Sequence, residues 1–277
     1  MKPNRKNVLQ VIVLHIVMTG FALVTLLPFF WMLSASLMQS GEASVFPPRF
    51  LPETITFNNY LQLYEKLNVT RFFLNSLILS VSVTVLSLFV NSMAGFAFAK
   101  YAFRGKKQIF AALISSMIIP GQVTMLPVFL LLNKMGLINT YFGVIIPGLA
   151  SIFGIFLIRQ YLQSVPDSLI EAARIDGAND FLIYRKIILP LAKPVLVTLA
   201  LFTFMGTWND FLWPLIVMTK ESMYTLPVAL ANLLGEHVQD VEMMMAGSVI
   251  TIIPVLIVFL VLQKYYLQGI MIGGVKE

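Results

Sequence analysis

The sequence contains no cysteine, only two histidines and few charged residues. Without cysteine, the chain has no disulfide, thiolate metal ligand or cysteine nucleophile. Two histidines, His15 and His237, are too few for a histidine-rich metal site. Charged residues make up 12% of the chain, about half the share in a typical soluble domain, and hydrophobic residues make up 58%. Disordered and nucleic-acid-binding chains need more polar or basic residues than this. The composition therefore predicts an integral membrane protein with several spans and no nucleic acid as partner.

Long stretches without Asp, Glu, Lys or Arg run through the chain. A transmembrane helix needs about 20 mainly apolar residues, and five of the six longest stretches reach that length directly. The stretch 194–209 is shorter, and it reaches that length by continuing through Asp210 into Phe211–Thr219. The sequence thus predicts an all-α membrane protein with six spans, at 11–36, 72–98, 109–132, 141–158, 195–218 and 243–263.

Basic residues are distributed unequally between the two sides of such a six-span chain. With the N-terminus inside, fourteen of the nineteen Lys and Arg lie on the inner side and five on the outer side. The positive-inside rule therefore predicts that both termini are cytoplasmic. The outer segments are then 38–71, 134–140 and 220–242. The last of them is acidic, through Glu221, Glu236, Asp240 and Glu242.

The inner loop 159–193 has the pattern of two short helices joined by a glycine bend. The first helix is predicted over Asp167–Ile175. Gly177 then interrupts it, because glycine adopts backbone conformations that other residues resist. A second helix is predicted over Ala178–Ile188, and Pro190 is expected to end it.

The most specific pattern in the chain lies inside this loop. It reads Glu171-Ala172-Ala173-Arg174-Ile175-Asp176-Gly177-Ala178 and continues through Phe181, Ile187, Leu189, Pro190 and Pro194. The adjacent alanines leave room for close approach by another protein, and Glu171 offers a charge on the exposed face. The pattern resembles the EAA loop of permease subunits in binding-protein-dependent ABC importers, the alternative being an ordinary amphipathic surface loop. The resemblance implies coupling to an ATPase through Glu171, Ala172, Ala173, Asp176, Gly177 and Ala178.

Other segments extend the resemblance to essentially the whole chain. Three segments resemble parts of the membrane spans of carbohydrate importer permeases: Ala94–Lys100, Ile119–Val123 and Trp208–Leu215. The segment Gly269–Lys276 resembles the tail of the smaller membrane subunit in maltose-type systems. The resemblance implies a type I ABC importer permease fold, in a single transmembrane domain 1–277 with its core at 70–265 and its coupling loop at 159–193.

The family also implies partners and a location. Its members work as two permeases with two ATPase subunits and an external sugar-binding protein, so this chain would be half of a heterodimeric pathway in the bacterial inner membrane. The expected substrate is a carbohydrate, an oligosaccharide or sugar derivative. Because the sequence has no GxxxxGK[ST] nucleotide loop, the chain is not expected to hydrolyse ATP alone. The resemblance implies a transport subunit that is no enzyme and binds no cofactor, with ATP and Mg held by the partner subunits.

Polar and aromatic residues within the spans are the candidates for the substrate pathway: Trp208, Asn209, Asp210, Trp213, Gln122 and Asn91. An acid in a span costs roughly 2.5–3.5 kcal/mol on insertion scales, so Asp210 either lines the pathway or caps a helix break near Pro214. Gln122 and Asn91 either contact substrate or form hydrogen bonds between helices. Trp208 and Trp213 either stack on sugar rings or belong to the interfacial aromatic belt.

Two other functional classes make different demands on the sequence. An ion-coupled secondary transporter needs intramembrane charge pairs or repeats with broken helices, whereas Asp210 is the one strong acid in these spans and the halves show no convincing repeat. An intramembrane enzyme needs paired acids, a Ser/His pair or metal ligands, and the predicted spans bring none together.

Overall fold

The computed structural model of the chain describes residues 5–236 and 240–274, which contain helices and turns but no strand. The α-helices are α1 Arg5–Ala35, α2 Asn58–Lys66, α3 Val69–Lys100, α4 Lys106–Ser116, α5 Gly121–Lys134, α6 Phe142–Gly148, α7 Ile152–Gln163, α8 Asp167–Ile175, α9 Asp180–Ile183, α10 Leu189–Leu191, α11 Lys193–Trp208, α12 Leu212–Val217, α13 Leu226–Glu236 and α14 Val241–Gly274. A π-helical turn, Tyr184–Ile188, joins α9 to α10. The all-α prediction is confirmed, while His237 and the last three residues of the tail lie outside the described residues.

Several of these helices suit a bilayer. Within the described residues, four stretches are long and apolar enough to cross a membrane: Gln10–Ala35, Val69–Lys100, Phe142–Gln163 and Val241–Lys264. Two further candidates are pairs of helices with a sharp bend, 104° between α4 and α5 and 77° between Asp180–Leu191 and α11. Counting each bent pair as one span gives up to six, in agreement with the predicted number.

Two of the predicted spans are broken rather than continuous. In span 109–132, Pro120 adopts an extended conformation between α4 and α5 (φ −58°, ψ 134°). Proline has no N–H to donate and disfavours helix at the residue before it, so the helix stops here. In span 195–218, α11 ends at Trp208 and α12 begins at Leu212. Hydropathy identified the first segment. The second candidate span in the structure joins Asp180–Leu191 to α11, so it begins inside the predicted inner loop 159–193 and ends before α12.

The chain divides into two compact units. The first comprises Met1–Val69 and Leu230–Ile253, and the second comprises Thr70–Ala229 and Pro254–Glu277. In the first unit, α1 exposes most of its apolar stretch Gln10–Ala35, and burial begins only at Ser34 and Ala35. Such a surface is suited to lipid or to another protein rather than to water.

Glu242, in the first unit, differs from the acidic outer loop predicted for 220–242. It lies in the first turn of α14, is fully buried, and accepts a hydrogen bond from the Ala43 N–H at 2.6 Å. The side chain of Asn59 holds the neighbouring segment by donating to the carbonyl oxygens of Ser36 and Met38. Glu242 therefore fastens the chain ahead of α2 to the start of α14 and is not a surface charge.

In the second unit, α3 packs closely against α7. A Cβ added at Gly95 would lie 2.7 Å from Cγ2 of Ile158 and 3.2 Å from the backbone nitrogen of Arg159. Ile158 is fully buried in a core that continues through Leu162 into the segment beyond α7. The absence of a side chain at Gly95 is what lets the two helices approach.

We expect Gly95→Ala to destabilise the protein by about 1–3 kcal/mol, the usual cost of overpacking a filled core. Thermal unfolding of the purified protein in detergent measures the effect. Gly206→Ala in α11 is the matched control, because nothing lies within 4 Å of a Cβ added at Gly206. Equal unfolding temperatures for the two variants would contradict the close packing of α3 on α7.

Candidate functional site

The predicted coupling loop folds as helical segments on either side of a glycine turn. α8 spans Asp167–Ile175, as predicted. Gly177 has a φ of +83°, and its N–H donates to the Arg174 carbonyl at 3.0 Å. The N–H of Ala178 donates to the Ala173 carbonyl at 2.9 Å. These two bonds form a Schellman motif, which needs a left-handed residue after the helix and so favours glycine at position 177.

The second helix of the loop begins later and continues further than predicted. The Asn179 side chain accepts a hydrogen bond from the Leu182 N–H at 2.8 Å and so caps α9. The π-helical turn follows, and α10 carries the chain to Leu191, beyond Pro190. A π turn relaxes the regular hydrogen-bond ladder just where the missing N–H of Pro190 would interrupt it, so this proline does not end the helix.

The two sides of α8 have different environments. Ile170 is buried, and Ala173 packs with Ala178 against the core of the second unit. Glu171 and Ile175 lie on the opposite face, where Ile175 is 87% exposed. Ala172, Asp176 and Gly177 are also exposed. Of the two central alanines, Ala172 is exposed and Ala173 is partly buried, so in this structure Ala172 is the more accessible to a partner.

Exposed apolar side chains surround this face, and they were not among the predicted docking residues. They are Leu169, Ile175, Phe181 and Leu182, and Phe181 is 62% exposed. Apolar side chains grouped on a surface mark a contact with another protein. The available signal in the sequence was the presence of large apolar residues at intervals in a loop that is otherwise rich in charge.

Charged residues bridge the glycine turn. Arg174 and Asp180 form an ion pair of 3.2 Å, and the Arg174 guanidinium lies 5.8 Å from the centre of the Tyr101 ring. Both charged side chains are at least half exposed, so solvent screens their attraction. Partial burial raises the pKa of Tyr101, and the Asp180 carboxylate raises it further while Arg174 opposes the change. The phenol therefore stays protonated at neutral pH.

A cavity of about 470 Å³ lies within Thr70–Ala229. Its volume is in the range of roughly 300–1,000 Å³ that small-molecule sites occupy. Its walls come from α3, the start of α5, the end of α6 and the break between α11 and α12. The polar side chains are Gln122, Thr124, Thr207 and Asp210. The other lining residues are Val83, Gly121, Met125, Val128, Val144, Pro147, Gly148, Leu212 and Trp213.

The cavity brings together three of the six predicted pathway residues, Gln122, Asp210 and Trp213. Oδ1 of Asp210 accepts a hydrogen bond from the Trp213 N–H at 3.3 Å, at the start of α12. The indole Nε1 of Trp213 donates to the Gly143 carbonyl at 3.2 Å. Both interpretations of Asp210 therefore agree with its geometry, since one carboxylate oxygen supports the helix break while the side chain lines the cavity.

The other three predicted pathway residues are not part of the cavity lining. Trp208 is only 1% exposed and stacks on Phe204 with ring centres 5.9 Å apart. Asn91 is 2% exposed and accepts a hydrogen bond from the Ser151 N–H at 3.0 Å. Asn209 is exposed and donates to a backbone carbonyl of its own helix. Trp208 and Asn91 pack inside the chain in this structure, and a role for them in the substrate pathway stays a prediction.

Residues 91–271 match the family profile described as "Binding-protein-dependent transport system inner membrane component". This chain belongs to that family. Among similar proteins is the arabinooligosaccharides transport system permease protein AraQ of Bacillus subtilis, 39% identical over 92% of this chain and 92% of its own length. AraQ of Halalkalibacterium halodurans is 38% identical over 88% of this chain and 86% of its own length.

A solved structure agrees with the family assignment. A chain from a bacterial ABC transporter involved in the import of the acidic polysaccharide alginate matches with a TM-score of 0.81. It is 30% identical, and the match covers 95% of the present chain and 98% of that chain. The predicted ABC importer permease fold is thereby confirmed.

The family membership settles the class of the protein. The chain is a multi-pass inner-membrane permease subunit of a binding-protein-dependent ABC importer, and ATP hydrolysis lies in the partner subunits of such systems. The permease is thus not itself an enzyme. Neither the family nor these relatives support the alternative of an ion-coupled secondary transporter.

Proposed function

We propose that this permease forms half of the translocation pathway for a carbohydrate, an oligosaccharide or sugar derivative. A second permease completes a heterodimer in the bilayer, a dimeric ATPase supplies energy from ATP and Mg, and an external sugar-binding protein delivers the substrate. This chain itself holds no cofactor. The names of the two AraQ relatives, each 38–39% identical over about nine-tenths of the chain, support the substrate class.

The observation that carries the proposal is the exposed face of α8. Glu171, Ala172 and Ile175 share that face, and Phe181 extends it beyond the glycine turn. An exposed acid next to exposed apolar side chains is suited to a protein partner, because the apolar groups gain from burial and the acid selects a basic or polar group. In our proposal this face inserts into a cleft on the ATPase.

The cavity supports the proposal of a carbohydrate substrate. Sugars combine many hydroxyl groups with apolar ring faces, so they need hydrogen-bonding side chains beside an apolar or aromatic surface. Gln122, Thr124 and Asp210 provide donors and acceptors, and Trp213 provides an aromatic surface. Asp210 is the one residue of formal charge in the lining.

Glu171→Lys should weaken association with the ATPase, because it places a positive charge where the partner is expected to hold a basic or polar group. Gly177→Val should remain in the membrane but uncouple ATP hydrolysis from uptake. No atom lies within 4 Å of a Cβ at Gly177, so its cost is backbone strain of about 1 kcal/mol or more, which re-aims the second helix.

Pull-down of the ATPase, together with sugar uptake, measures both variants. Glu65→Lys makes the same charge change at an exposed position on α2 and should leave ATPase association unchanged. If Glu171→Lys and Gly177→Val both retain normal association and normal uptake, α8 does not dock on the ATPase.

Asp210→Asn should impair transport more than assembly, since it keeps an oxygen for the Trp213 N–H but removes the acidic group from the cavity. Asp210→Ala should also lose the helix cap, at a cost of about 0.5–2 kcal/mol. Uptake per assembled transporter is the measurement, with Asn209→Ala as the neighbouring control outside the cavity. Wild-type uptake by Asp210→Ala would exclude a pathway role for this side chain.

We propose that both termini are cytoplasmic, on the basis of the fourteen-to-five distribution of basic residues. Because the chain contains no cysteine, single cysteines report on topology without further changes. Glu53→Cys should react with a membrane-impermeant maleimide added to intact cells, and Lys107→Cys should react only after permeabilisation. Labelling of Lys107→Cys from outside intact cells would reverse the orientation.

A further inference from the structure

The C-terminal end of α3 contacts the start of the coupling loop through one lysine. Lys100 Nζ donates to Oδ1 of Asp167 at 2.6 Å and also to the Val165 carbonyl oxygen. These two acceptors lie on either side of Pro166, the residue that precedes α8. Pro166 makes no side-chain cap for α8, and Lys100 holds the turn into the helix from both sides of this proline.

The two side chains of this ion pair differ in burial, and the more buried one depends more on the contact. The Lys100 side chain is only 5% exposed, whereas that of Asp167 is 74% exposed. Lysine is almost never this deeply buried unless its charge is paired, because an unpaired ammonium loses its hydration without compensation. The position of the ammonium group is therefore set by its two acceptors, and α3 is bound in turn to the start of α8.

A second contact joins the residue after Lys100 to the other end of α8. The ring of Tyr101 lies beneath the guanidinium of Arg174, which pairs with Asp180 across the glycine turn. The same ring meets Phe96 of α3 edge-on, with ring centres 5.2 Å apart. Two consecutive residues at the end of α3 thus contact both ends of α8, and the buried one, Lys100, makes the stronger contact.

We propose that Lys100 is a positioning residue for transport, which clamps the start of α8 to the end of α3. The inference rests on the proposed docking of α8 on the ATPase. With the clamp in place, a displacement of α8 moves α3. Without it, α8 rocks about its connecting turn and the displacement is lost in the loop. Lys100 then determines how much uptake each ATP hydrolysed produces, and it touches neither substrate nor ATPase.

The test uses the complete transporter reconstituted in liposomes, with sugar uptake and ATP hydrolysis measured in parallel. Lys100→Met should keep ATPase association and should keep hydrolysis within about twofold, while uptake per ATP falls at least about fivefold, the lower end of usual coupling between two sites. Lys107→Met makes the same substitution at an exposed lysine on α4 and should leave the ratio unchanged. Lys100→Arg, which preserves the charge, should restore much of the ratio.

Asp167→Asn provides a second variant on a mostly exposed residue whose change the fold tolerates. It should lower uptake per ATP less than Lys100→Met does, because the Val165 carbonyl remains as an acceptor. In the double variant the two losses of uptake per ATP should not add, because both substitutions remove the same Lys100–Asp167 contact. A loss of ATPase association in Lys100→Met would instead place the residue in the docking itself.

Other outcomes overturn the clamp. An unchanged uptake-to-ATP ratio in Lys100→Met refutes it, and so do parallel losses of uptake, hydrolysis and membrane-inserted protein, which would assign Lys100 to folding alone. Failure of the proposed docking gives a different result, because Glu171→Lys then retains ATPase association whatever Lys100→Met does.

Discussion

Inside a bilayer the backbone has no water to bond with, so a break in a membrane helix must have its N–H and C=O groups satisfied by the protein. This chain breaks its apolar helices repeatedly, and polar side chains meet the freed groups. Asn91 accepts from the Ser151 N–H just before α7, and Asp210 accepts from the Trp213 N–H at α12. Asn75 likewise donates to the carbonyls of Ser222 and Tyr224 in the predicted outer segment 220–242, ahead of α13. Asn91 and Asp210 thus satisfy backbone groups at the starts of broken helices.

The same breaks create the cavity. It lies where α5 begins, α6 ends and α11 gives way to α12, so helix ends rather than continuous helix surfaces form much of its wall. Gly143 lets this region close tightly, because a Cβ there would lie 2.6 Å from both the Leu137 carbonyl oxygen and Cγ1 of Val217. Its own carbonyl accepts from Trp213 and fixes the ring at the cavity edge. The cavity thus has polar side chains in its wall, with Asp210 as the one charged residue in the lining.

The sequence predicted the features that depend on local chemistry. The apolar runs predicted the number of candidate spans and the position of most of them, and the EAA pattern with Gly177 predicted α8 and the bend after it. It did not predict which way side chains point, because hydropathy is the same for a tryptophan facing lipid, a cavity or the core. Trp208 and Trp213 occur five residues apart in one motif, yet the first is buried and the second lines the cavity. Likewise, Ala172 and Ala173 have the same side chain and adjacent positions in the motif. Ala172 is exposed and Ala173 faces inward only because α8 packs on the core.

The sequence predicted some of the helix breaks. Pro120 stops its helix in the way that the chemistry of proline requires, whereas Pro190 does not, because a π-helical turn precedes it. Whether a proline ends a helix depends on the hydrogen bonds available around it, and those come from tertiary contacts. Single cysteines and single charge changes probe such contacts well in this chain, because its natural sequence offers no competing thiol and few charges.

α3 is the element on which these features converge. It is a continuous helix of 32 residues, about 48 Å long at 1.5 Å per residue. Asn75 near one end holds the backbone ahead of α13, Val83 lines the cavity, and Lys100 at the other end holds α8. A helix without a break is the stiffest connection that a membrane segment offers, while the bends of 104° and 77° elsewhere absorb displacement. In our proposal, a push on α8 therefore reaches the cavity wall most directly through α3, as long as the lysine at its end stays paired.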